Sequence, residues 1–254
     1  MQSQYTAMLT FETKCYEKDW AFILGGNRLE TMIRRCHHAF AERVLYINNV
    51  QDPGRVQRAA DRQVKKGVID RHVLVAPHAE AALAHFGLQP ADFNGGYYYS
   101  IAELVGLYLC KTPYLLHFSG DAMLQPNQTD WIGKAITLME ANPAYMVANA
   151  LWDNHHAQAA EEAEYELPDF YVGYGFSDQN YLVSTALFRQ PIYGETHTAS
   201  ARYPAYGGEL FEKRVDSYLR NHGGLRLTSK EASYRHRNFP TTPWARFRLK
   251  YLGR

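Results

Sequence analysis

Cysteine is scarce in this 254-residue sequence. Cys15, Cys36 and Cys110 are odd in number, widely spaced and never paired as Cys-x-x-Cys, so neither a disulfide framework nor a cysteine zinc site has a basis. No apolar run approaches the length of a membrane span, and the N-terminus lacks a basic flank followed by an apolar core. The expectation is a cytoplasmic protein. A net charge of +1 lacks the positive excess of a nucleic-acid binder. Internal repeats and low-complexity linkers are missing, which argues against a solenoid or a string of separate domains. Also missing are G-x-G-x-x-G, a Walker A loop, a G-x-S-x-G elbow and H-E-x-x-H; the glycines of "LGGNR" at 24–28 do not have dinucleotide spacing. Those absences disfavour kinases, serine hydrolases of the elbow type and zinc peptidases.

What is present is an ordinary globular composition, 46% hydrophobic and 21% charged, long enough for one substantial core. Strand-like and helix-like stretches alternate. Strands are expected at 5–11, 43–50, 71–77, 113–124, 145–151 and 179–188, and helices at 27–41, 52–67, 99–111, 130–143 and 207–223. This order predicts an α/β fold with a mostly parallel sheet and right-handed crossovers. Residues 152–180 read as a loop-rich insertion with one short helix. From Tyr234 onward the last 21 residues carry five Arg, one Lys and no acid. The expected organisation is a single domain, 1–254, with a first half at 1–120, a second half at 121–233 and a basic, aromatic tail at 234–254.

Chemistry-bearing residues gather at strand ends. In "YLLHFSGDAML" an apolar strand stops on Ser119-Gly120-Asp121, a turn that holds one carboxylate at the edge of a sheet, where ligands collect in open α/β folds. "YGGELFEKRVDSYL" places Glu209 at the expected first turn of a helix, where the macrodipole keeps a carboxylate ionised. By themselves these read equally as a turn-capping acid and a helix-start acid. His37-His38 on an expected amphipathic helix and His155-His156 in the insertion carry less. Nineteen tyrosines fit stacking against sugars or bases and equally fit half-buried strands.

The layout, with "TFETKCYEKDW", "HFSGDAML" and "YGGELFEKRVDSYL", resembles a GT-A glycosyltransferase of the family 2 type. The resemblance implies a Rossmann-like, nucleotide-diphospho-sugar transferase fold, a three-layer sandwich with a mostly parallel central sheet. It implies transfer of a sugar from a UDP- or GDP-sugar to a glycan, lipid-linked or other hydroxyl acceptor, with inversion. Thr10, Phe11, Glu12 and Thr13 would meet the base and ribose, with Asn48 and Asn49 as further contacts. The family's Asp-x-Asp reads Ser119-Gly120-Asp121 here, so one acid, Asp121, is left to hold Mn2+ or Mg2+ against the diphosphate, with His236 as a late ligand. Glu209 would be the general base, and Asp178, Gln179, Gly207 and Gly208 would position the substrate. Trp244, Phe247 and Tyr251, interleaved with Arg246, Arg248, Lys250 and Arg254, would suit peripheral contact with an anionic membrane face or packing on the protein itself. Two readings stay open beside this one: a nucleotide-sugar or glycan binding module without catalysis, suggested by Ser119, and a sugar-phosphate nucleotidyltransferase, disfavoured because no Gly-rich, Arg-containing loop follows the first strand.

Overall fold

The computed structural model describes residues 8–126, 129–203 and 207–237. The strands are β1 (Leu9–Cys15), β2 (Glu42–Ile47), β3 (Arg71–Leu74), β4 (Tyr114–Phe118), β5 (Ala122–Leu124), β6 (Tyr145–Trp152), β7 (Ala163–Glu166), β8 (Phe170–Gly173), β9 (Asn180–Ser184) and β10 (Leu225–His236). The helices are α1 (Trp20–Leu24), α2 (Arg28–Arg34), α3 (Pro53–Lys65), α4 (Ala76–Phe86), α5 (Tyr97–Leu109), α6 (Trp131–Ala141), α7 (His156–Glu161), α8 (Thr185–Phe188) and α9 (Phe211–Asn221).

One sheet runs β3-β2-β1-β4-β9-β6-β10-β8-β7, with β5 paired to β10. From β3 to β10 only β9 runs against the others, so the centre is mostly parallel. Helices cover both faces. On one, Ile23 and Leu24 of α1, Leu29 and Met32 of α2, Val56 of α3 and Trp131 and Ile136 of α6 pack on Leu9, Phe11 and Phe118. On the other, Leu83 and Phe86 of α4, Leu104 and Val105 of α5, and Phe211 and Val215 of α9 pack on Val44, Leu115 and Val183. Burial of these two apolar layers is the main force holding the sandwich together.

Local sequence explains several boundaries. Helix α3 begins where Asp52 accepts a hydrogen bond from the Arg55 amide at 2.9 Å and Pro53 sits at the first turn; Val56, Ala59, Ala60 and Gln63 form its buried stripe. Helix α6 begins the same way, with Asp130 capping the Gly133 amide at 3.0 Å. Elsewhere the structure departs from expectation. Strand β1 starts later than expected and continues to Cys15, α2 stops at Arg34 rather than near 41, and α1, α4 and the β7–β8 hairpin are additional elements. The tail boundary also moves: Tyr234, Arg235 and His236 belong to β10, a 12-residue strand, and only Arg237 of the remaining tail falls within the described residues. Trp244, Phe247, Tyr251 and their basic neighbours lie outside the described residues. No helix among the described residues is long and apolar enough to cross a membrane.

Candidate active site

The parallel strands β1, β2 and β4 end together, and a cleft of about 430 Å³ opens where they end. Ligands bind at such carboxyl edges in open α/β sheets. Strand β1 delivers Lys14 and Tyr16, and the turn after β4 delivers Ser119, Gly120 and Asp121. Asp178 and Gln179, just before β9, form another wall; Gly207 and Glu212 approach from α9 and its entry, and His236 arrives on β10.

The Ser-Gly-Asp turn is shaped by close packing. The Ser119 amide donates to the Gln179 carbonyl at 2.9 Å, and the Ala122 amide closes the turn onto the Ser119 carbonyl at 2.9 Å. Arg28 Nε donates to the Gly120 carbonyl at 3.0 Å. A Cβ at Gly120 would run into the Ile23 side chain and come within 2.7 Å of the Lys14 carbonyl oxygen, so only glycine fits between them. The turn therefore aims Asp121 outward. Its Oδ1 accepts from Ser119 Oγ at 2.9 Å, and its Oδ2 lies 3.1 Å from His236 Nε2. The antiparallel register that sets His236 opposite Ala122 brings these two together across 115 residues of sequence. Burial works to raise the Asp121 pKa, but His236 and Ser119 hold it below its ordinary value. The hydrogen bond that His236 donates to Asp121 raises the His236 pKa in turn.

Three other carboxylates line the same cleft: Asp19, Asp178 and Glu212. Burial pushes Asp19 up to about 7, with Asp121 adding to the effect. Burial, and then the charge of Asp178, push Glu212 up to about 8. Against these acids stands Lys14, nearly buried and paired with Glu103 of α5. Burial alone would lower its pKa, but Tyr16, Asp178 and Glu12 around it carry it above its ordinary value.

Asp121, held ionised at the cleft, would repel the phosphates of a nucleoside diphosphate unless a cation intervenes. Asp121 and His236 are the side chains that could hold such an ion: one carboxylate from a turn and one imidazole from a strand, both partly open to the cleft. Among the described residues no group of three or more His, Cys, Asp or Glu side chains converges as a complete metal site.

The structure distributes the sequence-derived residues unevenly. Asp121, Ser119, Gly120, Asp178, Gln179, Gly207 and His236 share the cleft. Thr10, Phe11, Glu12 and Thr13 do not reach it, because β1 runs on for two residues and buries all four. Thr10 Oγ1 meets Thr112 Oγ1 at 2.8 Å, Phe11 stacks on Phe118, and Glu12 meets His117 Nδ1 at 2.9 Å. Burial raises Glu12 to about 8. Asn48 and Asn49 do not line the cleft; Asn49 Nδ2 donates to the Tyr98 carbonyl at 3.1 Å, at the start of α5. Gly208, at φ +67°, packs its backbone on the carbonyls of Phe93 and Asn94 and has a packing role. Glu209 precedes α9 instead of starting it; its carboxylate is bound to Lys213 Nζ at 2.6 Å and is not part of the cleft wall. The acid that α9 presents there is Glu212, three residues on.

Sequence reasoning missed Lys14, Tyr16, Asp19, Tyr99 and Glu212. The repeated tyrosines of "GGYYYS" and the second acid of "GELFE" were the available signals. Tyr99 lines the cleft with half its surface exposed (52%), while the neighbouring Tyr98 stacks on Tyr16 at 5.7 Å.

No protein-family model matches the sequence, and no curated protein matches it. Solved structures do. A mannosyltransferase from Pyrobaculum calidifontis, in complex with GDP-Man and Mn2+, matches at a TM-score of 0.57 and 12% identity, over 98% of this chain and 62% of its own. GalNAc-T7 with UDP, GalNAc and Mn2+ matches at 0.56 and 9% identity, over 92% of this chain and 44% of its own. Glucosyl-3-phosphoglycerate synthase from Mycobacterium tuberculosis, with Mn2+, UDP-Glc and phosphoglyceric acid, matches at 0.49 and 13% identity, over 92% and 73%. The chain thus spans less than two thirds of the first two proteins. At these identities the likeness is one of architecture alone: the chain has the GT-A fold, helices on both faces of a mostly parallel central sheet.

Proposed function

We propose that the chain is a cation-dependent glycosyltransferase that moves a sugar from a UDP- or GDP-sugar to a hydroxyl of a glycan or lipid-linked acceptor, with inversion. The observation that carries this reading is the Asp121–His236 pair set among further carboxylates in a GT-A cleft. Asp121 and His236 would hold Mn2+ or Mg2+. When bound, the cation neutralises the charge that builds on the departing nucleoside diphosphate. Ser119 orients Asp121 through its hydrogen bond, a role in keeping with a hydroxyl where the family pattern has an acid. Tyr99 offers a face to the nucleobase, and Lys14 offers a fixed positive charge on the cleft floor.

Glu212, in preference to Glu209, takes the proton from the acceptor hydroxyl. It faces the cleft, whereas Glu209 is tied to Lys213, and a carboxylate raised toward neutrality is a stronger base than an ordinary one. Asp178 and Gln179 beside it position the acceptor. The basic, aromatic sequence of the tail supports peripheral contact with the cytoplasmic membrane face, where a lipid-linked acceptor would be presented.

Calorimetric titration with UDP and with GDP, each with and without Mn2+, tests the reading. One nucleotide should bind, bind more tightly with Mn2+, and lose that gain in Asp121→Ala. Failure of both nucleotides to bind in the presence of Mn2+ would overturn it.

A further inference from the structure

A second cleft, of about 260 Å³, adjoins the first: Gln179 lines both. The partition between them is built from Gln179 and Tyr234, whose hydroxyl donates to Gln179 Oε1 at 3.2 Å. The lining of the second cleft has a distinct chemistry. Trp152, at the end of β6, leaves 46% of its surface exposed and meets the His155 ring edge-on at 4.7 Å. Beside it runs a chain of planar polar groups: Gln158 Nε2 donates to Glu162 Oε1 at 3.0 Å, and Glu162 Oε2 lies 3.6 Å from Arg226. Arg226 Nε is buried without a hydrogen-bond partner. A single exposed aromatic is unremarkable on a protein surface. An indole wall facing amide, carboxylate and guanidinium groups in one concavity is a recognition surface.

We infer that this second cleft binds an uncharged sugar residue of the acceptor. The inference rests on the transferase reading, and it narrows the acceptor to a carbohydrate at this contact. A sugar ring has an apolar C–H face, which an indole covers, and a rim of hydroxyls that each donate and accept. Gln158, Glu162 and Arg226 supply the matching acceptors and donors. An acyl chain finds too many polar groups here. An anion would meet the carboxylate of Glu162, which already balances Arg226. The shared Gln179 then places the sugar next to the donor cleft, with Glu212 on the donor side of the partition.

The test is saturation-transfer NMR on the whole chain, in the presence of Mn2+ and the nucleotide found by titration. The probes are the methyl glycosides of glucose, galactose and mannose, the disaccharides maltose, cellobiose and lactose, and glycerol 3-phosphate as the anionic control. At least one neutral sugar should bind saturably, at least tenfold more weakly in Trp152→Ala. Gln158→Ala, a change at an exposed position of a short surface helix, should weaken it in the same direction without disturbing the core. Nucleotide binding should be unchanged in both variants. Absence of sugar binding, sugar binding indifferent to both substitutions, or preference for glycerol 3-phosphate would overturn the inference. Nucleotide affinity is read separately, so failure of the transferase reading and failure of the sugar site give different results.

Discussion

Two ion pairs flank the cleft and are built for opposite purposes. Lys14–Glu103 joins β1 to α5 with both side chains nearly or fully buried, and withdrawing either partner leaves the other a buried charge without its counter-ion. Asp121–His236 joins a turn to the last strand with about a quarter of each side chain exposed. Water can replace either partner there, and so can a ligand. A buried pair fixes position, while a partly open pair can exchange one partner for a cation. The contrast separates the buried floor of the cleft from its partly open rim.

The largest effect should fall on the reaction. Glu212→Gln keeps the shape of the side chain and removes the proton acceptor, so kcat should drop by roughly 10²–10⁴-fold with nucleotide affinity kept. With Glu212 raised to about 8, the parent's rate should climb with pH and level off above that value, and the variant should lose this limb. Stability should move the other way. Glu212 and Glu12 both have folded-state pKa values raised from 4.5 to about 8, so the folded form holds extra protons between those values and thermal stability should fall as pH rises through them. An unchanged rate in Glu212→Gln would remove this residue from the chemistry.

The comparison of the two pairs can be broken by denaturation. Lys14→Met should cost about 3–5 kcal/mol, because Glu103 is left buried and unpaired, and Glu103→Leu on top of it should restore much of the loss. Asp121→Asn, at the open pair, should cost about 1 kcal/mol or less in stability while abolishing the Mn2+ gain in nucleotide binding. Equal stability losses would show that the pairs do not differ as described. The smallest effect belongs to Tyr99→Ala, which should weaken nucleotide binding by about 1 kcal/mol if its face covers the base. Calorimetry on that variant distinguishes stacking from a bystander.

Much of the architecture was legible because its signals are local. Asp52-Pro53 starts α3 and Asp130 starts α6 by capping chemistry, and the apolar runs at 114–118 and 145–151 are strands largely buried on both faces. Strand β1 was harder to place. Its alternation of Thr10, Glu12 and Lys14 with Phe11 and Cys15 resembles a strand giving way to a polar loop, yet these three polar side chains are met from a distance: Thr10 by Thr112, Glu12 by His117 and Lys14 by Glu103. No window of sequence contains those partners. The same limit explains the exchange of Glu209 for Glu212. Both are acids near the start of α9; the chain there docks on Phe93, to whose carbonyl the Glu209 amide donates, and Glu212 is the one that lines the cleft.

The sequence by itself determined much of the alternation of strands and helices, the carboxylate turn after β4 and the α/β class to which that order belongs, since periodicity, caps and turn residues act over a few positions. Tertiary structure alone decided the membership of the site. Strand β10 had to run beside β5 before His236 could stand 3.1 Å from Asp121, and β1 had to extend to Cys15 before Lys14 and Tyr16 could form the floor. Catalytic groups meet through strand register and helix packing, which depend on contacts between residues far apart in the chain.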